Sequence, residues 1–430
     1  MTTSTFTSPR RRRFAGIASM ALVSVLALGG CGNSTDSTAA DSTTSTSASA
    51  TASSGSVSSV STSSTTEDAT TTADTISDTA AAAQAFLDTL SEDQQETVLY
   101  AYDDETKTTS WSNFPVTFVQ RAGLDLADLT DEQQAAALEV LESLLSDEAY
   151  ETVTGIMNGD VYLHENSSST EASLGQYYIA FFGDPSNTSA FEVQFGGHHL
   201  GINATLDGSA DDGTGAITFA PTHLGVQPAV YTDEDGNEVQ PFDGIYTDAF
   251  AFFDSLTAEQ QATLTSGDVT MCAPGDTCDF TTGDGLTGAD LTDEQEDLLL
   301  DLIANWAGMA DEQTTATELA EIEATLDDTV IAWSGETTYD MSTGDGINFS
   351  ISGPNVYVAF QAQQGSAGAD VNGVSTSGWG HVHTIYRDPT NDYAGSVTQQ
   401  AASGMGGGDM GGMPPGDGGT PPTDAPSSAS

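Results

Sequence analysis

Five of the six histidines in this 430-residue chain fall in strand-like stretches, as two pairs and one singleton: His198 and His199, His223, then His381 and His383. A neutral imidazole is a ligand for ions such as zinc and copper, so the spacing of these residues matters. Side chains alternate across a strand, so His381 and His383 share a face, which Ile385 and Arg387 continue. Two imidazoles are thereby offered to one ion. Read as part of a regular strand, His198 and His199 point to opposite faces and only one can join them. His198 aligns with Leu200, Ile202 and Ala204, a core-like face, whereas His199 aligns with Asn203 and Thr205. The expected ligand set is His199, His381 and His383, with His198 as substitute, around zinc or copper. The competing reading buries the same rings for packing, bonded to backbone carbonyls or stacked on Trp379 and Tyr386. His223 and His164 lack partners in sequence and read as structural or exposed.

Beyond residue 31 the cations are only Lys107, Arg121 and Arg387. Arg387 could clamp a substrate carboxylate or phosphate bidentately, or pair with Asp388 or Asp392 and fix the turn after its strand. Arg121 faces the same choice. Cys272 and Cys278 flank Ala-Pro-Gly-Asp-Thr, and outside the cytoplasm such a pair reads as a disulfide; a metal pair is the weaker alternative. Asp233-Glu-Asp235-Gly-Asn237 starts like a calcium loop but lacks its central Gly and closing Glu, which leaves a hairpin turn. Met405, Met410 and Met413 offer thioethers suited to Cu(I), or form a plain spacer. The chain has no Gly-x-Ser-x-Gly elbow, His-Glu-x-x-His, phosphate loop or dinucleotide fingerprint.

The elements that must position these residues come in a repeated order. Leu90-Ser91-Glu92-Asp93-Gln94 and Leu129-Thr130-Asp131-Glu132-Gln133 recur as Leu256-Thr257-Ala258-Glu259-Gln260 and Leu291-Thr292-Asp293-Glu294-Gln295. Each is a capping box that opens a helix. Helices are expected over 91–102, 130–146, 257–264 and 292–308. The offsets are 166 residues (Ser91 to Thr257) and 162 (Thr130 to Thr292), which points to duplication. After each helical pair the period becomes strand-like: 175–182, 191–206 and 216–219, then 330–333, 347–351, 356–361 and 381–386. The expected fold class is α+β, two duplicated halves (80–245 and 246–398), each a helical pair followed by antiparallel strands.

Arg10 to Arg13 precede an apolar stretch, Ala15 to Leu28, too short for a spanning helix. It ends in Leu28-Gly29-Gly30-Cys31, which resembles the lipobox of bacterial lipoproteins. The resemblance implies removal of residues 1–30, acylation of Cys31 and an extracytoplasmic chain anchored to the cell membrane by lipid such as palmitate. An ordinary secretory signal is the alternative. Residues 31–78 are Ser/Thr-rich and read as a disordered tether; 399–430 read as a disordered Gly/Pro/Met tail; 79–398 read as globular. The mature chain sets 64 acids against three cations, a formal balance of −61. Such a surface repels nucleic acid and anionic headgroups, so no nucleic-acid partner is expected and the lipid must do the anchoring.

The Trp111…Pro115…Arg121-x-Gly-Leu segment, the capped helices, Gly197-His198-His199-Leu200 and His381-x-His383-x-x-x-Arg387-Asp388-Pro389 together resemble a bacterial family, domain of unknown function 3500. The resemblance covers about residues 80–395. It implies an exported globular domain and singles out the histidines, without supplying an activity. Gly380 stands where the family often has Asn, His223 looks peculiar to this chain, and Gly365 to Ser377 form an insertion expected to be a loop. Three functions stay open: a surface lipoprotein with a histidine-based transition-metal site, a metal-dependent hydrolase, and a non-catalytic binding or scaffold domain. The small-molecule or metal ligand is unknown at this stage.

Overall fold

A computed structural model describes residues 70–398, apart from 170, 172, 210–214, 267–268, 275–279, 281–283 and 365–369. Cys31, Cys278 and the three tail methionines therefore lie outside the described residues, as do the lipobox and the expected Cys272–Cys278 pairing. In chain order the N-terminal part carries α1 (Thr72–Asp88), α2 (Glu92–Val98), β1 (Leu99–Tyr100), β2 (Leu124–Asp125), α3 (Asp131–Leu144) and α4 (Asp147–Asn166). Then come β3 (Tyr178–Phe182), β4 (Ala190–Gly196), β5 (Leu200–Asp207), β6 (Ala216–Thr218), β7 (Thr222–Val226), β8 (Tyr231–Thr232) and β9 (Glu238–Val239). The C-terminal part carries α5 (Asp243–Ser255), α6 (Ala258–Gln261), β10 (Leu286–Thr287), α7 (Asp293–Ala307) and α8 (Glu312–Glu323). It closes with β11 (Val330–Gly335), β12 (Ile347–Ser352), β13 (Tyr357–Ala362), β14 (Asp370–Val371), β15 (Val374–Ser375) and β16 (Val382–Arg387).

All four expected capping boxes form: Ser91, Thr130, Thr257 and Thr292 each accept from the amide three residues on, and the Gln there returns the bond. The helices they open are shorter than expected, over 92–98, 131–144, 258–261 and 293–307. Each part holds four helices rather than two. Helix α1 was hidden by a Ser/Thr/Ala composition that reads as tether, and it takes up residues 72–78 of that stretch. Its Thr72, Thr75, Ile76, Thr79, Ala80, Ala83, Phe86 and Leu87 are buried at helical spacing, and the small ones let it pack closely on α3. The glutamines do more than cap. Gln133 Nε2 donates to Thr89 O (2.9 Å) and Gln94 Oε1 (3.2 Å); Gln295 Nε2 donates to Ser255 O (2.8 Å) and Gln260 Oε1 (3.0 Å).

The fold is mixed α and β: eight helices among the described residues and one large mixed sheet. Strand order is β1-β3-β4-β5-β7-β16-β13-β12-β11-β10, with β2 on β3 and β6 on β5; β1–β3 is parallel and the remaining pairings are antiparallel. Strand β7, absent from the expected set, pairs with β16 at the centre and so joins the N-terminal strands to the C-terminal ones. One face carries Leu200, Ile202, Leu224, Val358, Phe360, Val382 and Tyr386 into the main core with the helices. The other carries Tyr357, Ala359 and Ile385 against Trp111 and the Met271–Ala273 segment. His383 and His223 lie on this second face, because His383 stands opposite Gly225 and His223 opposite Ile385.

Part of the 365–377 insertion is a ribbon, β14 with β15, rather than loop; Asn372 N bonds Asn166 O at 2.9 Å at its tip. The Asp233–Asn237 segment is the expected turn, with Asp233 accepting from the Asp235 and Asn237 amides. All three cations are buried, so the described surface bears no Lys or Arg. No described helix is long and apolar enough to cross a membrane.

Candidate metal centre

Strand β4 stops at Gly196 and β5 starts at Leu200, so Gly197-His198-His199 are a turn and not a strand. That corrects the expectation that only one of the two histidines could face the site: alternation holds only for extended backbone. In the turn both rings swing to the same side and stack, with centroids 4.0 Å apart. Gly197 N bonds Leu200 O at 2.8 Å, and a Cβ at 197 would lie 2.4 Å from Gln176 O, which only glycine avoids. Arg121 grips the same turn from outside, its Nε and Nη2 donating to Gly197 O at 3.2 and 2.6 Å.

His381 and His383 share a face as expected, with their Nε2 atoms 2.9 Å apart. Two nitrogens each about 2.0–2.1 Å from one ion lie roughly 3 Å apart, so the pair is already spaced as co-ligands. The His383 ring is the hub: its centroid is 4.9 Å from His381, 5.1 Å from His199, 5.2 Å from His223 and 5.8 Å from His198. One ring nitrogen each from His198, His199 and His383 falls within 4.8 Å of the other two. Of the expected set, His199 and His383 belong to this trio with His198; the His381 ring adjoins it, 5.5 Å from that of His199, as does His223, which sequence reasoning had set aside. Gly225 leaves the room for this: a Cβ there would sit 3.2 Å from the His199 ring and 3.4 Å from the His223 ring. His164 is exposed on α4, away from the cluster.

Hydrogen bonds choose the tautomers. Asp160 Oδ1, on α4, accepts from His199 Nδ1, and Tyr177 donates to Asp160 Oδ2 at 2.7 Å. His223 Nδ1 donates to Thr384 O at 2.8 Å. Neither ring's Nε2 has a hydrogen-bond partner; nor do the Nδ1 atoms of His198, His381 and His383. A carboxylate or carbonyl behind the ring is how metal-binding histidines are oriented and made more basic. Burial pushes the pKa of His198, His381 and His383 well below the ordinary imidazole value, and neighbouring imidazoles push the same way. Burial takes His223 down to about 3 against the pull of the Thr384 carbonyl. These rings are neutral, the form a metal ion needs.

Asp160 was missed by sequence reasoning. Its one signal is an acid on the apolar stripe of α4, three residues from Leu163 and Met157, where burial to 1 % exposure demands a partner. Arg387, expected to hold substrate, is 1 % exposed and already committed: Nε and Nη2 donate to Asp392 Oδ2 at 2.9 and 2.5 Å, and Nη1 to Cys272 O. Burial works against its charge and Asp392 more than restores it, so its pKa lies above the ordinary value. It fixes the turn after β16. Arg121 is likewise committed, to carbonyls alone.

No curated protein and no solved structure matches the chain. A family described as protein of unknown function, DUF3500, matches residues 72–395, from the first residue of α1 to just beyond the turn that Arg387 secures. By that match, which spans most of its length and all five clustered histidines, the chain belongs to the DUF3500 family.

Proposed function

We propose that this chain is a metal-binding lipoprotein whose clustered histidines hold one transition ion, zinc or copper. His199, His381 and His383 are the core ligands, with His198 able to take a place among them. One observation carries the reading: five buried or part-buried imidazoles converge, each with a ring nitrogen that has no hydrogen-bond partner. Left unmet, each such group costs about 1–3 kcal/mol, which a purely packing role would have to absorb several times over in one spot. An ion between the Nε2 atoms of His199, His381 and His383 would meet the first of these directly and take the place of the His381–His383 hydrogen bond. The hydrolase reading has less support, because it needs a free carboxylate base, and both oxygens of Asp160 are already occupied by His199 and Tyr177. The test is elemental analysis of protein purified without chelator: near-stoichiometric zinc or copper is expected, and protein without any bound transition metal, even after incubation with either ion, sinks the proposal.

The address is proposed with it: lipid on Cys31, an extracytoplasmic tether and a closed Cys272–Cys278 disulfide. Cys31→Ala should release the protein from membranes, and reduction should raise the intact mass by that of two hydrogens; a membrane-bound variant or an unchanged mass would contradict these two points. We also read the two parts as products of a duplication. Its support is the paired spacing of the four capping boxes, the matching bonds of Gln133 and Gln295, and a strand order that runs outward alike from the β7–β16 joint.

A further inference from the structure

The three buried cations are not treated alike. Lys107 Nζ is 3.1 Å from Glu192 Oε2, and Arg387 is paired with Asp392. Arg121 has no carboxylate partner among the described residues. Its donors go to the backbone carbonyls of Ser112, Phe114, Val119 and Gly197, which satisfy its hydrogen bonds without cancelling its charge. Burial lowers its pKa to about 9, so it remains a cation at neutral pH. It stands directly behind the His198-His199 turn through Gly197 O. On the other side, Asp160 is the carboxylate bonded to a clustered imidazole. Formal charge around the rings, before any ion enters, is therefore near zero. A divalent ion bound by neutral imidazoles would leave excess positive charge in a buried place, which is expensive unless an anion joins it.

We infer that the loaded centre takes a small monovalent anion, of the hydroxide or carboxylate class, as an exogenous ligand on the His198 side. This rests on the metal reading above. His198 is the one clustered histidine with part of its surface exposed, so it marks the way in. The size and charge of the ligand follow from the exterior. With every Lys and Arg buried, the described surface is acidic and repels polyanions much more strongly than a single charge.

The probe is cobalt(II)-loaded full-length protein titrated with azide and followed by visible absorption. A saturable change of one azide per cobalt, with none from pyrophosphate, is expected. Bound cobalt whose spectrum ignores azide and acetate alike would overturn the anion site while leaving the metal site standing. Failure to bind cobalt, zinc or copper would overturn the metal reading itself. Arg121→Gln should weaken azide binding about tenfold and tighten cobalt by a similar factor, since a buried unit charge bonded to the His198-His199 turn through Gly197 O is removed. Arg121→Lys, which keeps the charge, should restore azide affinity. Equal azide affinity in the folded Gln variant and the parent protein would remove Arg121 from the account; if the Gln variant does not fold, the parent titration decides.

Discussion

The turn between β4 and β5 and the start of β16 deliver the same side chain to one place by opposite means. His199 is held from behind by Asp160, which Tyr177 holds in turn, and the turn itself is gripped by Arg121. His381 and His383 have no such brace: their Nδ1 atoms lack partners, His383 is placed by the ladder pairing β16 with β7 and β13, and His381, just before β16, by backbone bonds to Gly378 and Gln363. A turn leaves side-chain direction open, so hydrogen bonds must fix it; a central strand fixes it through register, and needs nothing more.

The strand side should be the less forgiving one. His383→Ala removes the hub of the cluster and should abolish metal binding, read as ion content per protein; retention of full stoichiometry would mean that the turn histidines suffice. Acid should act through the buried rings of this side as well. His223, His381 and His383 have folded pKa values below their unfolded value of about 6.5, so the unfolded chain takes up protons first as pH falls. Stability of the metal-free protein should thus be full above about pH 6.5 and drop below it by about 1.4 kcal/mol per pH unit for each such ring. Urea unfolding at about pH 7 and about pH 5 checks this, and an unchanged midpoint would show that the rings protonate freely in the fold.

On the turn side, Asp160→Asn keeps the shape but weakens the brace. Metal affinity should fall about 10–100-fold, as for other partners behind a ligating histidine, with the fold retained. Competition against a chromogenic chelator measures it; unchanged affinity would make the Asp160 contact purely structural. The smallest effect tests whether the two parts of the chain are equivalent. Gln133→Ala and Gln295→Ala each lose a bond to a helix-end carbonyl and one to a partner glutamine, and should destabilise by similar amounts of about 1–2 kcal/mol. Strongly unequal losses would count against a shared origin.

Local rules made much of the frame legible. Each of the four Leu-Ser/Thr-x-x-Gln boxes became a capped helix start, because the box is satisfied within one turn of chain. The common face of His381 and His383 followed from strand alternation alone. Helix α1 was obscured because Thr and Ala suit a tether and a close-packed helix equally well; only the presence of α3 decides between them. His198 was misplaced since residues 191–206 look continuous in their apolar pattern, and the break at Gly197 depends on a close approach of Gln176 O.

Residue types and their spacing by themselves determined the helix starts, the strand-borne histidine pair, the scarcity of cations and the acidity of the exterior, since each is a property of neighbours in the chain or of composition. Only the tertiary structure decided that the two histidine pairs meet, that His223 joins them, that Asp160 stands behind His199 and that Arg387 is committed to Asp392. Those contacts bridge as many as 185 residues (His198 to His383), and they exist because β7 and β16 pair at the centre of one sheet, which no local signal in either strand prescribes.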